Sequence, residues 1–243
     1  MFVQHLQFAY PKSRALLHDV TFTLQPNKLN VLIGMNGSGK TTLFDCMTGA
    51  LRPQAGDIAL PDQSDILYLT QSIYYSDELK GKDVAYFIGR LAQLTDFKKQ
   101  TTYSASLQSR REIDLFHHLW QMKVGKMSAG EKKWLFVTLL TTIPRALYMF
   151  DEPTSGVDPA TRLHIMRRFE KLIADGRTCL FSTHQLHDLL HTDAHVIFLH
   201  DGSIVYEGDF QDWLQTFQTT DPDVAFTKML DLATEPERAN TMP

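Results

Sequence analysis

One nine-residue segment, GMNGSGKTT, combines glycines with a lysine and hydroxyl side chains, a set that can hold phosphate. It follows the apolar run KLNVLI and precedes a predicted helix, which is the context that a P-loop requires. Glycines let backbone N–H groups close around phosphate oxygens, and a helix N-terminus adds a favourable positive potential. We expect Lys40 to reach the β- and γ-phosphates of a nucleotide and the Thr41 hydroxyl to bind Mg²⁺. The predicted phosphate-binding residues are Gly34, Met35, Asn36, Gly37, Ser38, Gly39, Lys40, Thr41 and Thr42.

Two adjacent acids form the second group with chemical potential. In LYMFDEP, four apolar residues lead into Asp151 and Glu152, which predicts a buried strand ending in carboxylates. Asp151 suits the coordination shell of Mg²⁺, and Glu152 can polarise the attacking water as a general base. Read alone, the pair could be surface acids after a strand. Beside a P-loop, the pattern favours a site that hydrolyses a nucleotide.

The elements that would position these groups are those of an α/β chain. Alternating apolar residues predict a strand from Phe2 to Phe8, and DVTFTLQP and KLNVLI predict two more. A helix is expected from Lys40 to Thr48, with short strands over 57–59 and 66–69. Further predicted elements are a helix over 129–142, a strand in RALYMFDEP, a helix in PATRLHIMRRFEKLIADG, a strand in RTCLFSTH and a hairpin turning at Asp201 and Gly202.

Between residues 76 and 125 the apolar spacing changes to that of helices. In KDVAYFIGRLAQL, Asp83 is predicted to cap a helix whose apolar face carries Val84, Phe87, Ile88 and Leu91. This pattern predicts a helical subdomain inserted into the α/β chain. From about residue 219 the sequence is polar and predicts a short helix followed by a loose end.

Composition restricts the classes of partner. The chain has 243 residues and a formal net charge of −4, so no nucleic-acid partner is expected. Cys46 and Cys179 lie far apart in apolar surroundings, which predicts buried free thiols in a reducing compartment. Neither a signal peptide nor an apolar run long enough to cross a bilayer is recognisable. Any membrane role is therefore expected to come through a partner.

In their order along the chain, the motifs resemble those of the ATP-binding subunit of an ABC transporter, from Phe2 to about Gly208. Beyond the two groups above, the matching features are Tyr10, which would stack on adenine; Gln71, in the Q-loop; Met127 to Glu131, the signature loop; Ser155 to Asp158, the D-loop; and His184, the switch histidine. Plainer alternatives are a strand-end aromatic for Tyr10, a turn residue for Gln71, a helix cap for Asp158 and a core histidine for His184.

The resemblance implies an α/β fold: a P-loop NTPase core with an antiparallel β subdomain and an inserted α-helical subdomain. The ATPase domain would span 1–218, with the helical part at about 72–127, and 219–243 would form a C-terminal tail. The implied cofactors are ATP and Mg²⁺, with Thr41, Gln71 and Asp151 around the metal. Glu152 would be the base, Gln71 would lie near the water, and His184 would sense the γ-phosphate.

The resemblance also implies a second ATPase subunit that pairs head to tail with the first. Ser128 and Gly130 of one subunit would contact the γ-phosphate held by the other, and Asp158 is grouped with the nucleotide-binding residues. The segment MSAGE departs from the usual LSGGQ. Ala129 is harmless only if its backbone is helical, and the charge of Glu131 near a triphosphate predicts a working but slow ATPase.

An integral membrane permease subunit on another chain is the further implied partner, which would place the protein at the cytoplasmic face of the cell membrane. The segment DELKGKDVAYFIGRL resembles the corresponding region of exporter-type subunits. A groove for a helix of the permease is expected near Ile73, Tyr74, Tyr75 and Phe87.

Three alternatives remain open at this stage. The first is a soluble ABC ATPase that acts on a protein assembly rather than on a transporter. The second is a GTPase-like switch, which would leave Gln71, Met127 to Glu131 and His184 without a role. The third is a metal site at His184, His187 and His191, although no cysteine partner accompanies them.

Overall fold

A mixed β-sheet organises the chain; the computed structural model describes residues 1–72 and 74–234, and within them this sheet has nine strands. The strands are β1 (Phe2–Ala9), β2 (Ala15–Thr23), β3 (Leu29–Ile33), β4 (Ala55–Ala59), β5 (Ile66–Leu69), β6 (Leu147–Asp151), β7 (Thr178–Thr183), β8 (Ala194–His200) and β9 (Ser203–Asp209). Their order across the sheet is β4-β1-β2-β9-β8-β3-β7-β6-β5. The predicted strands are therefore confirmed, with β2 and β4 beginning earlier than expected.

The sheet has a parallel half and an antiparallel half. Strands β3, β5, β6, β7 and β8 run parallel, and in β3 Leu29 pairs with Cys179 and Ala194 on its two sides. Strands β1, β2 and β4 pair antiparallel, and β8 and β9 form the predicted hairpin at Asp201 and Gly202. Because parallel strands end at the same edge, the loops after β3, β6 and β7 meet there.

The helices connect and cover these strands. They are α1 (Lys40–Met47), α2 (Gly81–Leu91), α3 (Gln100–Ser104), α4 (Arg110–Gln121), α5 (Ala129–Leu140), α6 (Pro159–Ala174), α7 (Phe210–Thr216) and α8 (Pro222–Thr234). Helices α2 to α4 follow β5 and precede α5, where the helical spacing was recognised. The predicted helix of the tail is α8, and the loose end expected after it, 235–243, lies outside the described residues.

The core has two parts because the sheet is covered on both faces. In β3 every residue is buried, and alternate side chains enter different clusters. Val31 and Ile33 pack with the cluster that contains Phe150, Phe169 and residues of the helical segment. Leu32 packs on the other face with the cluster that contains Phe44 of α1 and the antiparallel strands. Such burial on both faces explains why KLNVLI shows no polar alternation.

Two expectations about α2 were wrong. Its N-cap is Lys80, not Asp83; the Asp83 carboxylate instead accepts a hydrogen bond of 2.9 Å from the Lys80 N–H, as an acid in the first turn can. Val84 and Ile88 are buried as predicted, but Phe87 is 54% exposed and Leu91 is 68% exposed. The buried stripe instead includes Gly81, Ala85 and Gly89. Small residues at these positions bring α2 close to its neighbours.

Helix α7 was not predicted from the sequence. The Asp209 carboxylate caps it by accepting hydrogen bonds from the N–H groups of Gln211 and Asp212. Its buried residues are Phe210, Trp213 and Leu214, which seat it against β8 and β9. The helix has only seven residues, which is too short for a helical period to stand out in the sequence.

Both cysteines are buried free thiols, as predicted. Burial raises the pKa of Cys46 to about 11 and raises that of Cys179 well above its usual value. Since the thiolate is the reactive form, both side chains should be inert in the folded chain.

The close packing of α2 on Tyr103 generates a stability prediction. A Cβ at Gly89 would overlap the Tyr103 hydroxyl, which lies within hydrogen-bond distance of the Ala85 and Phe97 carbonyls. We expect Gly89→Ala to destabilise the fold by about 1–3 kcal/mol because overpacking outweighs the better helix propensity of alanine. Urea unfolding measures the change. The exposed Arg90→Ala is the control; equal loss in both variants would contradict the packing argument.

Candidate functional site

The predicted phosphate loop joins the end of β3 to the start of α1. A Cβ on Gly34 would overlap the carbonyl oxygen of Leu199 in β8, so the loop can pass this strand only because residue 34 is glycine. Gly39 has φ +104°, a left-handed conformation that favours glycine, and it forms the N-cap of α1. The loop therefore leaves the sheet closely packed and reaches the helix with its N–H groups available for an anion.

Lys40 is held by its own loop. Its ammonium donates hydrogen bonds to the carbonyls of Gly34, at 2.8 Å, and Met35, at 3.1 Å. Burial lowers the pKa of Lys40, and the carboxylates of Glu152 and Asp151 act in the opposite direction. When a nucleotide binds, the Lys40 ammonium can exchange these carbonyl acceptors for phosphate oxygens, which accept hydrogen bonds more strongly because they are charged.

Two predicted metal ligands are already in contact. The Thr41 hydroxyl donates a hydrogen bond of 2.6 Å to Asp151 Oδ2 across the start of α1 and the end of β6. A hydroxyl and a carboxylate at this spacing form an all-oxygen donor set, which is what Mg²⁺ prefers. Gln71 lines the same cleft and adds an amide oxygen. These residues therefore fit the implied metal.

The proposed base and the switch histidine form a pair. His184 Nδ1 lies 2.7 Å from Glu152 Oε2; the histidine side chain is about half exposed, whereas that of Glu152 is 7% exposed. Glu152 adopts φ +52°, a left-handed conformation that is uncommon for residues other than glycine. Strain of this kind persists only where the surroundings enforce it, and it concentrates at functional sites.

Ser182 is a site residue that sequence reasoning missed. It lies opposite Asp151 in the pairing of β6 with β7. Its hydroxyl donates to Asp151 Oδ1 and accepts a hydrogen bond of 3.0 Å from the Glu152 N–H. Ser182 thus fixes the orientation of both acids. The only available signal was its position in FSTH, two residues before His184.

A cleft of about 400 Å³ brings most of the predicted residues together. It is lined by Leu16, Asn36, Gly37, Gly39, Lys40, Thr41, Thr42, Gln71, Asp151 and Glu152. Of these, Leu16 was not predicted. Tyr10 lies beside it, since its hydroxyl is 3.2 Å from Thr42 Oγ1 and the residue is 42% exposed. Among the described residues, Ser128 and Gly130 do not belong to the lining.

The signature segment is the N-terminus of α5. Ser128 is the N-cap; its hydroxyl accepts a hydrogen bond from the Glu131 N–H, and the Glu131 carboxylate accepts one of 2.7 Å from the Ser128 N–H. This reciprocal pair is a capping box. Ala129 is the first residue of the helix and has no positive φ. Its backbone is therefore helical, as an alanine at this position requires. Glu131 acts as a capping side chain rather than as a free charge.

Asp158 is the N-cap of α6, which was the plainer alternative for this residue. Its carboxylate caps α6 by accepting hydrogen bonds of 3.1 Å from the N–H groups of Ala160 and Thr161. Hydrogen bonds from the Thr161 side chain and backbone lower its pKa. A Cβ on Gly130 would lie 3.6 Å from Asp158 Oδ2, so the D-loop and the signature segment are neighbours within one chain.

The three histidines do not form a metal site together. His184 pairs with Glu152, and His187 Nε2 lies 3.2 Å from Asp223 and 3.8 Å from Asp221. Within the described residues, the side chains close enough to share an ion are His187, Asp221 and Asp223, all exposed. Neither His184 nor His191 belongs to that group, so the alternative of a three-histidine site is not supported.

The sequence and the fold of the chain are similar to those of known proteins. A sequence model of the family described as ABC transporter matches residues 17–155. The uncharacterized ABC transporter ATP-binding protein YxlF of Bacillus subtilis (strain 168) is 31% identical over 209 residues, covering 83% of this chain and 68% of that protein. The energy-coupling factor transporter ATP-binding protein EcfA2 of Leuconostoc mesenteroides is 21% identical, covering 81% of this chain and 73% of that protein. A solved structure, described as the ATP binding subunit of an ABC transporter, superposes with a TM-score of 0.80 at 22% identity, over 94% of this chain and 98% of that chain.

The bridging role of Ser182 yields a prediction for the site. In Ser182→Ala the buried Glu152 N–H loses its acceptor and Asp151 loses a donor, which should cost about 1–3 kcal/mol of stability. We also expect weaker Mg²⁺ dependence of nucleotide binding, because Asp151 is no longer oriented. Denaturant unfolding and titration with a fluorescent ATP analogue at varied Mg²⁺ measure both effects. The exposed Ser64→Ala is the control. An unchanged stability and Mg²⁺ response in Ser182→Ala would contradict the bridging role.

Proposed function

This chain belongs to the ABC transporter family and is an ATP-binding, ATP-hydrolysing subunit of such a transporter. We propose that two paired copies drive export of a cargo through a separate membrane subunit. One observation supports the pairing of two copies. A single cleft holds the phosphate loop, Asp151 and Glu152, whereas the signature residues Ser128 and Gly130 lie outside it. A nucleotide bound there would still have an open side for a second chain.

The cleft residues have distinct proposed roles in hydrolysis. Members of the family bind ATP, typically with Mg²⁺, which neutralises charge on the transferred phosphate. Thr41, Asp151 and Gln71 would hold the metal, and Lys40 would contact the β- and γ-phosphates. Glu152 would accept the proton of the attacking water. His184, 2.7 Å from Glu152, would sense the γ-phosphate from the end of β7.

The second nucleotide-binding surface would be the N-terminus of α5. The Ser128 oxygen accepts the capping hydrogen bond, so its own proton is available to donate to a γ-phosphate. The N–H groups of the first turn point the same way, with the favourable helix dipole. ATP would then bridge two chains, and loss of the γ-phosphate would shift the population back to separated chains.

Replacing the proposed base tests the mechanism. Glu152→Gln keeps the size of the side chain and its contact with His184 but removes the proton acceptor. We expect ATP to bind normally while the ATPase rate falls at least about 100-fold. Without hydrolysis, ATP should hold the chains as a dimer, which analytical ultracentrifugation detects.

The control for this experiment is Glu170→Gln, which removes one negative charge from an exposed position on α6. It should hydrolyse ATP at the rate of the unaltered protein and form no lasting dimer. Near-normal turnover in Glu152→Gln would show that the base is a different residue.

An exposed apolar surface supports docking of a membrane subunit. Tyr74 is 89% exposed, and Phe87 and Leu91 of α2 are 54% and 68% exposed. Tyr75 instead packs between the core residue Phe136, at 4.8 Å between ring centroids, and the exposed Phe87, at 6.4 Å. Ile73, which was also predicted for the groove, lies outside the described residues. None of the helices in the described ranges is long and apolar enough to cross a membrane.

The domain limits and location belong to the same proposal. We take residues 1–218 as the ATPase domain, about 72–127 as its inserted helical part and 219–243 as the C-terminal tail. The permease would hold the chain at the cytoplasmic face of the cell membrane. The direction of transport rests on the resemblance of DELKGKDVAYFIGRL to exporter-type subunits.

The docking surface can be tested without altering the ATP cleft. The double change Phe87→Ser and Leu91→Ser should abolish co-purification with a multi-span membrane protein, because it removes exposed apolar area. ATP binding by the purified chain should not change. Leu163→Ser, at a residue on α6 that is 52% exposed, is the matched control and should retain the partner. Recovery of only soluble partners with the unaltered chain would favour the alternative of a soluble assembly ATPase.

A further inference from the structure

Lys133 is a cationic side chain to which neither the sequence motifs nor the proposed mechanism assigns a role. It lies on α5, the helix that begins with the signature segment. Its ammonium donates a hydrogen bond of 2.8 Å to the carbonyl of Glu152 and one of 2.6 Å to the carbonyl of Ser155. Both acceptors belong to the turn that connects β6 to α6. Lys133 therefore joins the signature helix to the backbone of the proposed base.

The turn requires such support. Glu152 has φ +52°, and Gly156 has φ +70°, so the chain reverses through two left-handed residues. At its far end the turn is held by Arg162, which donates a hydrogen bond of 3.2 Å to the Val157 carbonyl. At the near end, the Glu152 N–H is bound by Ser182 and the Glu152 carbonyl by Lys133. The peptide groups on both sides of the Glu152 Cα are thus fixed.

The charge of Lys133 suits its surroundings. The side chain is partly buried, which lowers its pKa, and the Glu152 and Asp151 carboxylates oppose this effect. Hydrogen bonds from a charged donor are shorter and stronger than those from a neutral one. A neutral side chain at position 133 would provide a weaker connection or none.

We propose that Lys133 is a positioning residue that holds Glu152 in its left-handed conformation and couples the signature helix to the base of the same chain. The proposal deepens the proposed function, since it rests on Glu152 acting as the base. It implies that one helix serves two sites. The N-terminus of α5 would contact the nucleotide of the second chain, while Lys133, two residues after Glu131, would fix the base of its own cleft. Contact between the N-terminus of α5 and the ATP of the second chain would then alter the position of the Glu152 backbone.

The main experiment compares substitutions at two adjacent lysines. Lys133→Met keeps the length of the side chain and removes the donor, whereas Lys133→Arg keeps a charged donor. Lys132→Met makes the same charge change one residue earlier on α5, at a side chain with no hydrogen bond to the turn in the described part of the chain. Steady-state hydrolysis at saturating Mg-ATP and binding of a fluorescent ATP analogue are measured for each variant.

We expect Lys133→Met to lower kcat about 100-fold, since a displaced catalytic group costs rates of this order. ATP affinity should stay within about threefold, because the phosphate loop is not altered. Lys133→Arg should recover most of the rate, and Lys132→Met should match the unaltered protein. A normal kcat in Lys133→Met, an equal loss in Lys132→Met, or a loss of ATP affinity as large as that of kcat would each overturn the proposal.

A double-mutant cycle with Glu152→Gln separates positioning from general destabilisation. If Lys133 acts through Glu152, adding Lys133→Met to Glu152→Gln should lower the residual single-turnover rate less than about twofold. A further large drop would mean that Lys133 acts by another route. An inactive Glu152→Gln with a fully active Lys133→Met would refute this inference alone, whereas activity in Glu152→Gln would refute the proposed base itself.

Discussion

The contact between the Thr41 hydroxyl and the Asp151 carboxylate, 2.6 Å long, is the interaction on which the site depends. It joins the start of α1, the helix reached from β3 through the phosphate loop, to the end of β6, and β3 and β6 are not neighbours in the sheet. Strand β7 lies between β3 and β6; its Ser182 contacts the same carboxylate, and His184, just after its end, contacts the adjacent one. The strand order β3-β7-β6 therefore determines which side chains can meet around a phosphate. A different order would separate Thr41, Ser182 and His184 from the two acids at the end of β6.

The signature segment illustrates how two unusual residues can be compatible with the geometry of a helix start. Glu131 sits at the third position of α5, where its carboxylate binds the Ser128 N–H, and Ala129 occupies the first helical position. A capping acid is stabilised by the N–H group that it binds and by the helix dipole. Its charge is therefore partly satisfied within the chain, so it opposes a nearby triphosphate less than a free carboxylate would. The slow ATPase expected from the sequence has less physical support once this capping role is known.

Much of the fold could be predicted because the sequence carries the signals locally. The phosphate loop, the acids after β6 and the hairpin at Asp201 and Gly202 each have a composition that few other structures tolerate. Ser182 and Lys133 could not be found in this way, since their roles arise from neighbours 30 and 19 positions away. The exposure of Leu91 was also hidden: an apolar period shows that a helix has an apolar face, but not how much of that face is covered. The pairing of Glu152 with His184 likewise depends on the strand order rather than on either residue type.

Because both native thiols are buried, the chain is well suited to site-specific labelling at introduced cysteines. Cys179 is fully enclosed in the sheet and Cys46 is 2% exposed, so in the folded chain neither should compete for a thiol-directed probe. A cysteine introduced near Tyr74 or at the start of α5 would then be the reactive one. Pairs of spin labels or fluorophores could report the separation of two chains through a catalytic cycle without removal of the native sulfur atoms. The packing that excludes water from the two native thiols thus also makes the separation of the chains accessible to labelling experiments.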